Sequence, residues 1–454
     1  MDRRTFIQTG ALSLATAWQM GKPPTHWGAL AMPSEAQLAW QRDELAMFLH
    51  FGVNTFTDRE WGDGREDPAI FNPASLDARQ WARTAKAAGF RALILTAKHH
   101  DGFCLWPSDT TRHSVAASPF RGGKGDVVRE FVDACAAEGL RAGLYLSPWD
   151  RNHPTYGDSA AYNDVYATQL TELLTRYGSI SEVWFDGANG EGPNGRRQVY
   201  DWPRVWGLVR RLQPAAVIFS DAGPDVRWCG NERGIAGDPN WSPVDPSVVR
   251  FPGQSDDAVG EALQHGHARG SVWRPAEVDV SIRPGWFYHP AQDSAVRTED
   301  NLVDLYFTSV GRNAKLLLNV PPTRDGLLHE TDAARLRGMR NRLDMMRASN
   351  IPVAQARWRR TGATTAVCEW RVQQPAVPAA VRLAEDITRG QRIARFTLEG
   401  SDGTGWRQIA AGTTIGYCKL ERVSPGSALT QVRLRVEDAV EPPEPVTIEL
   451  FGAA

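Results

Sequence analysis

Carboxylates, histidines and tryptophans gather in this chain just after short apolar runs. Phe48-Leu49-His50-Phe51-Gly52 is followed by Glu60-Trp61, and Lys98-His99-His100-Asp101-Gly102-Phe103 by Trp106. Tyr145-Leu146-Ser147-Pro148-Trp149-Asp150 and Val183-Trp184-Phe185-Asp186-Gly187 extend the series. Ser220-Asp221 leads to Trp228-Cys229-Gly230-Asn231-Glu232, and Glu277-Val278-Asp279 leads to Pro284-Gly285-Trp286-Phe287-Tyr288-His289. This is the inventory of a carbohydrate site. Hydroxyls need paired donors and acceptors, the apolar face of a sugar needs an aromatic wall, and glycosidic cleavage needs two carboxyl groups. One attacks the anomeric carbon or activates water. The other must keep a proton for the leaving group, so its surroundings must raise its pKa.

Asp186 is the leading candidate for the nucleophile, because it directly follows an apolar run and precedes a glycine. The bland alternative is a helix cap, but the next helical pattern begins near Tyr200, too far downstream to need it. Glu232 lies in a loop, where a glutamate is most often a solvated charge, and position alone gives it no role. His99 and His100 invite a metal reading. Adjacent strand residues face opposite ways, so both could reach one ion only past the strand's end. No HExxH accompanies them, no Cys/His spacing suggests zinc, and Asp101 alone does not complete a facial triad. Contacts to sugar hydroxyls fit the two rings better. For His50 the competing reading is a satisfied core histidine.

The apolar runs that would carry these residues are Leu45–Val53, Arg91–Ala97, Arg141–Ser147, Glu182–Phe185, Ala216–Ser220, Trp273–Val280 and Ala314–Val320. They are mostly apolar rather than alternating, as parallel strands buried on both faces are. Helical patterns separate them, over Leu76–Ala88, Asp126–Glu138, Tyr162–Tyr177, Pro203–Leu212 and Glu299–Val310. Seven strands and an eighth that the pattern does not place predict an α/β fold, a (β/α)8 TIM-like barrel. An open doubly wound sheet is the alternative, weakened by the lack of a GxGxxG or P-loop after the first strand. Beyond about residue 350, short β-like runs divided by Gly and Pro turns predict a C-terminal antiparallel β-sandwich, reached through a helix over Thr331–Met346. The expected division is 1–35 leader, 36–346 barrel and 347–454 sandwich.

Composition agrees with a globular protein of this size. The 454 residues are 42% hydrophobic and 23% charged, with net charge −2. That balance argues against a nucleic-acid or anionic-membrane partner, which would want basic excess. The unusual number is 17 Trp, 14 of them before residue 300. Met1-Asp2-Arg3-Arg4-Thr5-Phe6 followed by a short apolar run to Trp18 resembles a twin-arginine export signal, which implies a periplasmic or secreted protein. Nothing is long and apolar enough to span a bilayer. Five cysteines without zinc spacing suit a chain that folds before export, with few or no disulfides.

Four blocks together are similar to glycoside hydrolase family 29, the α-L-fucosidases: Phe48 to Phe56, Lys98 to Phe103, Val183 to Ala188 and Leu317-Leu318-Asn319-Val320-Pro321-Pro322. The likeness runs in order over about residues 36–450. Gly230-Asn231-Glu232 and the stretch Glu277 to Tyr288 resemble the subfamily selective for α-1,3/1,4-linked fucose. The resemblance implies a retaining enzyme with Asp186 as nucleophile and Glu232 as acid/base. It implies fucose contacts at His50, Glu60, Trp61, His99, His100, Tyr145 and Trp286, with no metal and no cofactor. The expected partner is a fucosylated oligosaccharide or glycoprotein glycan. The alternatives are another retaining exo-glycosidase, a catalytically inactive carbohydrate-binding barrel, or a metal-dependent barrel hydrolase.

Overall fold

The computed structural model describes residues 30–453, so the Arg3-Arg4 signal and the run to Trp18 lie outside the described residues. Eight parallel strands form the central sheet: β1 Leu45–Leu49, β2 Ala92–Lys98, β3 Arg141–Leu146, β4 Glu182–Trp184, β5 Val217–Phe219, β6 Arg227–Trp228, β7 Ala276–Ser281 and β8 Lys315–Asn319. β1 pairs with both β2 and β8, and neighbours follow in sequence order from β1 to β5 and from β6 to β8. A parallel bridge between Phe219 and Val226 joins β5 to the start of β6 and brings the ring to closure.

Alternation along each strand separates two apolar layers. Ala46, Phe48, Ile94, Tyr145, Trp184, Phe219 and Leu317 fill the barrel interior. Met47, Leu49, Leu93, Leu95, Leu144 and Val183 face outward, in the same core as Trp81 and Phe131 of the helices. The helices start and stop on recognisable signals. Asp77 caps α1 (Ala78–Ala87) and Asp126 caps α2 (Val127–Glu138), each accepting the backbone N–H three residues on. Gly139 ends α2 at φ +71°, a conformation that favours glycine.

Two expectations change. The eighth strand is β6, only two residues long, and no helix separates it from β5. The sixth predicted strand was Trp273–Val280. In the structure Val272–Trp273 instead pairs antiparallel with Pro243–Val244, and the barrel strand begins at Ala276.

The last barrel helix, Glu330–Ala348, leads into two antiparallel sheets of four and five strands with their own apolar core, including Trp370, Phe396, Leu398 and Leu434. The five-stranded sheet has an edge strand, Val353–Arg360, that hydropathy does not announce. No helix among the described residues is long and apolar enough to cross a membrane.

Candidate active site

A cavity of about 940 Å³ opens at the C-terminal ends of the barrel strands. Its lining includes His50, Glu60, Trp61, His99, His100, Tyr145, Asp186, Glu232 and Trp286, so the expected nucleophile, acid/base and fucose contacts are brought to one place. A larger groove of about 1180 Å³ lies at the opposite end of the strands. Several of its charges are paired within the protein, Arg141 with Asp43, Arg210 with Asp225 and Lys315 with Glu182.

Asp186 stands two residues beyond the end of β4. Its Oδ2 accepts the Tyr145 phenol at 3.2 Å, and its Oδ1 accepts the Ala188 N–H at 2.6 Å. It caps no helix; the cap of the following helix, Trp202–Leu212, is Asp201. Gly187 is required by packing within the protein. A Cβ there would collide with the Asp221 carboxylate and the Gly253 backbone. Glu232, on the loop after β6, is exposed, unlike the buried carboxyls deeper in the barrel.

The histidines owe their arrangement to the end of β2. That strand stops at Lys98, so the His99 and His100 rings turn the same way, with centroids 4.2 Å apart. Lys98 points elsewhere, into a fully buried network with Asp150 (3.1 Å), Tyr162 (3.0 Å) and Gln169 (2.9 Å). Ser147 donates to the Trp149 carbonyl, so it must accept from His100 Nδ1, 2.7 Å away. His100 Nε2 then lies 3.9 Å from Asp186 Oδ2, beyond direct hydrogen-bond reach.

His50 is fixed by the same logic. Asn319 donates to the Trp286 carbonyl (2.8 Å) and Ser281 (2.9 Å), so its Oδ1 must accept from His50 Nδ1 at 2.9 Å. Burial pushes the His50 pKa down to about 3, leaving a neutral ring whose Nε2 is an acceptor. Burial first, then the proximity of two other titratable rings, His100 and His50, hold His99 well below the ordinary histidine range. Asp101 turns inward, accepting from Phe103 N (2.7 Å) and Asn54 (3.1 Å). Among the described residues, no group of three His, Cys, Asp or Glu side chains is arranged to hold a metal ion.

Glu60 lines the cavity and also clamps it. It accepts the N–H groups of Trp286 (2.7 Å) and Phe287 (3.3 Å) and faces His289 Nε2 at 2.5 Å. His289 Nδ1 faces Asp58 at 2.8 Å. Burial lowers the His289 pKa, but its bonds to Asp58 and Glu60 outweigh that and raise it. The β1 loop and the Trp286 loop are thus joined by a charged bridge.

The tryptophans divide. Trp61, Trp184, Trp228 and Trp286 line the cavity, and Trp61 is 42% exposed, enough to meet a ligand. Trp149 packs on His100 and Trp61. Trp106, placed at the site by its strand-end position, is buried in the fold and donates to Glu172 at 2.7 Å.

Asp279 also lines the cavity, and reading the sequence did not select it as a site residue. The available signal was the alternation Glu277, Asp279, Ser281, which sets three polar groups on the interior side of β7.

The sequence profile described as Alpha-L-fucosidase matches residues 24–346. The chain belongs to the α-L-fucosidase family. Alpha-L-fucosidase 1 of Arabidopsis thaliana is 44% identical over 423 residues, covering 87% of this chain and 82% of the relative. Among solved structures, a glycoside hydrolase 29 family member from an unknown rumen bacterium superposes with TM-score 0.85 at 39% identity, covering 95% of this chain and 78% of the other. A Ruminococcus gnavus GH29 fucosidase in complex with fucose gives TM-score 0.83 at 30% identity, covering 95% and 97%. This α-L-fucosidase therefore carries the TIM-like barrel and β-rich C-terminal region of its relatives.

Proposed function

We propose that this fucosidase is a retaining exo-enzyme that releases terminal α-1,3/1,4-linked L-fucose by double displacement, with Asp186 as nucleophile and Glu232 as acid/base. The observation that carries the reading is the meeting of both carboxyls in one cavity with His50, His99, His100 and Trp286. In this scheme fucose hydroxyls bond the histidines and Glu60, and its methyl and apolar face rest on Trp61 or Trp286. Tyr145 orients Asp186 for attack on the anomeric carbon while Glu232 protonates the leaving oxygen. Water, deprotonated by Glu232, then hydrolyses the fucosyl-enzyme. The subfamily-like stretch Glu277 to Tyr288 supports the α-1,3/1,4 preference, and the Arg3-Arg4 motif supports export to the periplasm or beyond.

The experiment is digestion of a defined panel of fucosylated oligosaccharides, with the released anomer followed by NMR. Early α-L-fucose from α-1,3/1,4 linkages supports the proposal. Early β-L-fucose would mean inversion and reject it. Binding without release would make the barrel a lectin.

A further inference from the structure

Asp279 shares the cavity with Asp186 and Glu232 but has no place in a two-carboxyl scheme. It is 5% exposed, and its Oδ1 accepts the Trp228 indole N–H at 2.7 Å. Trp228 ends β6 and pairs with Glu277 of β7. The loop bearing Glu232 leaves directly from it, starting at Cys229, whose N–H bonds the Glu277 carbonyl at 3.0 Å. A single indole thus ties Asp279 to the root of the Glu232 loop.

We propose, given that Glu232 is the acid/base, that Asp279 is a positioning residue acting through it: Asp279 anchors the loop root through Trp228 and shares one proton with Glu232. During the reaction Glu232 gives its proton to the departing oxygen and regains one from the attacking water. Asp279 exchanges nothing with the substrate.

The charges around Asp279 support this. Carboxyls face it from three elements: Glu232 on the β6 loop, Asp186 beyond β4, and Glu277 on its own strand, itself beside Glu182 of β4. Asp221, beyond β5, also lines the cavity. The cations nearby are engaged elsewhere. Lys315 of β8 pairs with Glu182, Arg283 binds Asp332 and Asp293, and Arg297 binds the Ser281 carbonyl and Asn301. Arg233 lines the cavity beside Glu232, and His50, just beyond β1, is neutral. Burial first, then the charge of Glu232, hold the Asp279 carboxyl well above the usual range, against the pull of the Trp228 bond. Two acids so placed titrate as a pair, and one of them keeps a proton where a lone carboxyl would have lost it.

The test is the pH dependence of kcat/KM on a fucosylated trisaccharide for wild type, Asp279→Asn, Trp228→Phe and Glu232→Gln, with thermal unfolding as a check on folding. Asp279→Asn keeps an acceptor for the indole and removes the second carboxyl. Its alkaline limb should move to lower pH by about one unit or more, because Glu232 loses the like-charged neighbour that held its proton. Trp228→Phe, which covers the case in which the Asn variant fails to fold, removes a bond that favours ionised Asp279, so its limb should move up. An unmoved limb in a folded variant, with kcat/KM lowered equally at every pH, would show a structural role and overturn the inference. Full activity in Glu232→Gln would instead reject the acid/base assignment on which the inference rests.

Discussion

At the scale of single residues, the bond from the Tyr145 phenol to Asp186 Oδ2 fixes the orientation of the carboxylate proposed to attack. Tyr145→Phe should lower kcat/KM roughly tenfold or more, the worth of one hydrogen bond to a charged group, without a loss of stability of similar size. Steady-state kinetics and thermal unfolding on the same preparations check this. His50 makes a second prediction. Its folded pKa is near 3 against an ordinary value of 6.5, so the unfolded chain takes up a proton that the fold refuses as pH falls between those values. Wild type should lose stability relative to His50→Asn over that window, by about 1.4 kcal/mol per pH unit well below 6.5. Denaturant titrations at several pH values measure it, and a pH-independent difference would contradict the neutral buried ring. Asp186 was legible in the sequence because it ends an apolar run. Glu232 was not legible from pattern alone, because a loop glutamate looks like any solvated charge. Asp279 was missed because the alternation Glu277, Asp279, Ser281 groups three polar residues on one face, but only the closed barrel shows which of them reaches the cavity.

At the scale of elements, the site depends on loops held by bonds far from one another in sequence. The bridge Asp58–His289–Glu60 fastens the β1 loop to the loop bearing Trp286. His289→Ala should loosen the aromatic wall and raise KM by about tenfold, with a smaller effect on kcat, since the bonds lost position substrate rather than react with it. An unchanged KM would remove the bridge from any part in binding. The bonding of Glu60 also explains why its block was readable as a contact but not as a clamp: its partners lie more than 220 residues away. β6 escaped detection for a related reason. Two residues make no hydrophobic run, and the strand–helix rhythm skips a helix there. Trp106 shows the opposite error, since a position after a strand does not distinguish a rim from a buried return.

At the scale of the whole molecule, the barrel and the antiparallel region share buried polar groups as well as adjoining cores. Gln391 is fully buried; its Oε1 accepts from Ser242 N (2.8 Å) and Asn313 (3.2 Å), and its Nε2 donates to the Asn240 carbonyl (3.0 Å). Tyr417 adds a bond to the Ala314 carbonyl at 2.7 Å. Gln391→Leu keeps most of the volume but strands these groups, and should cost about 1–3 kcal/mol, measured by denaturant unfolding. The fold class was legible because parallel strands buried on both faces leave unbroken apolar runs. The edge strand Val353–Arg360 was not, because four of its eight residues are Arg or Gln. The excess of tryptophan pointed to a ligand, and four of those side chains line the cavity. The claim joining these scales is that Asp186 forms the bond to fucose. A 2-deoxy-2-fluoro-fucosyl donor with a good leaving group, followed by peptide mapping, tests it most directly. The account expects a stable fucosyl adduct on the peptide containing Asp186; an adduct on any other residue, or full turnover by Asp186→Ala, would contradict it.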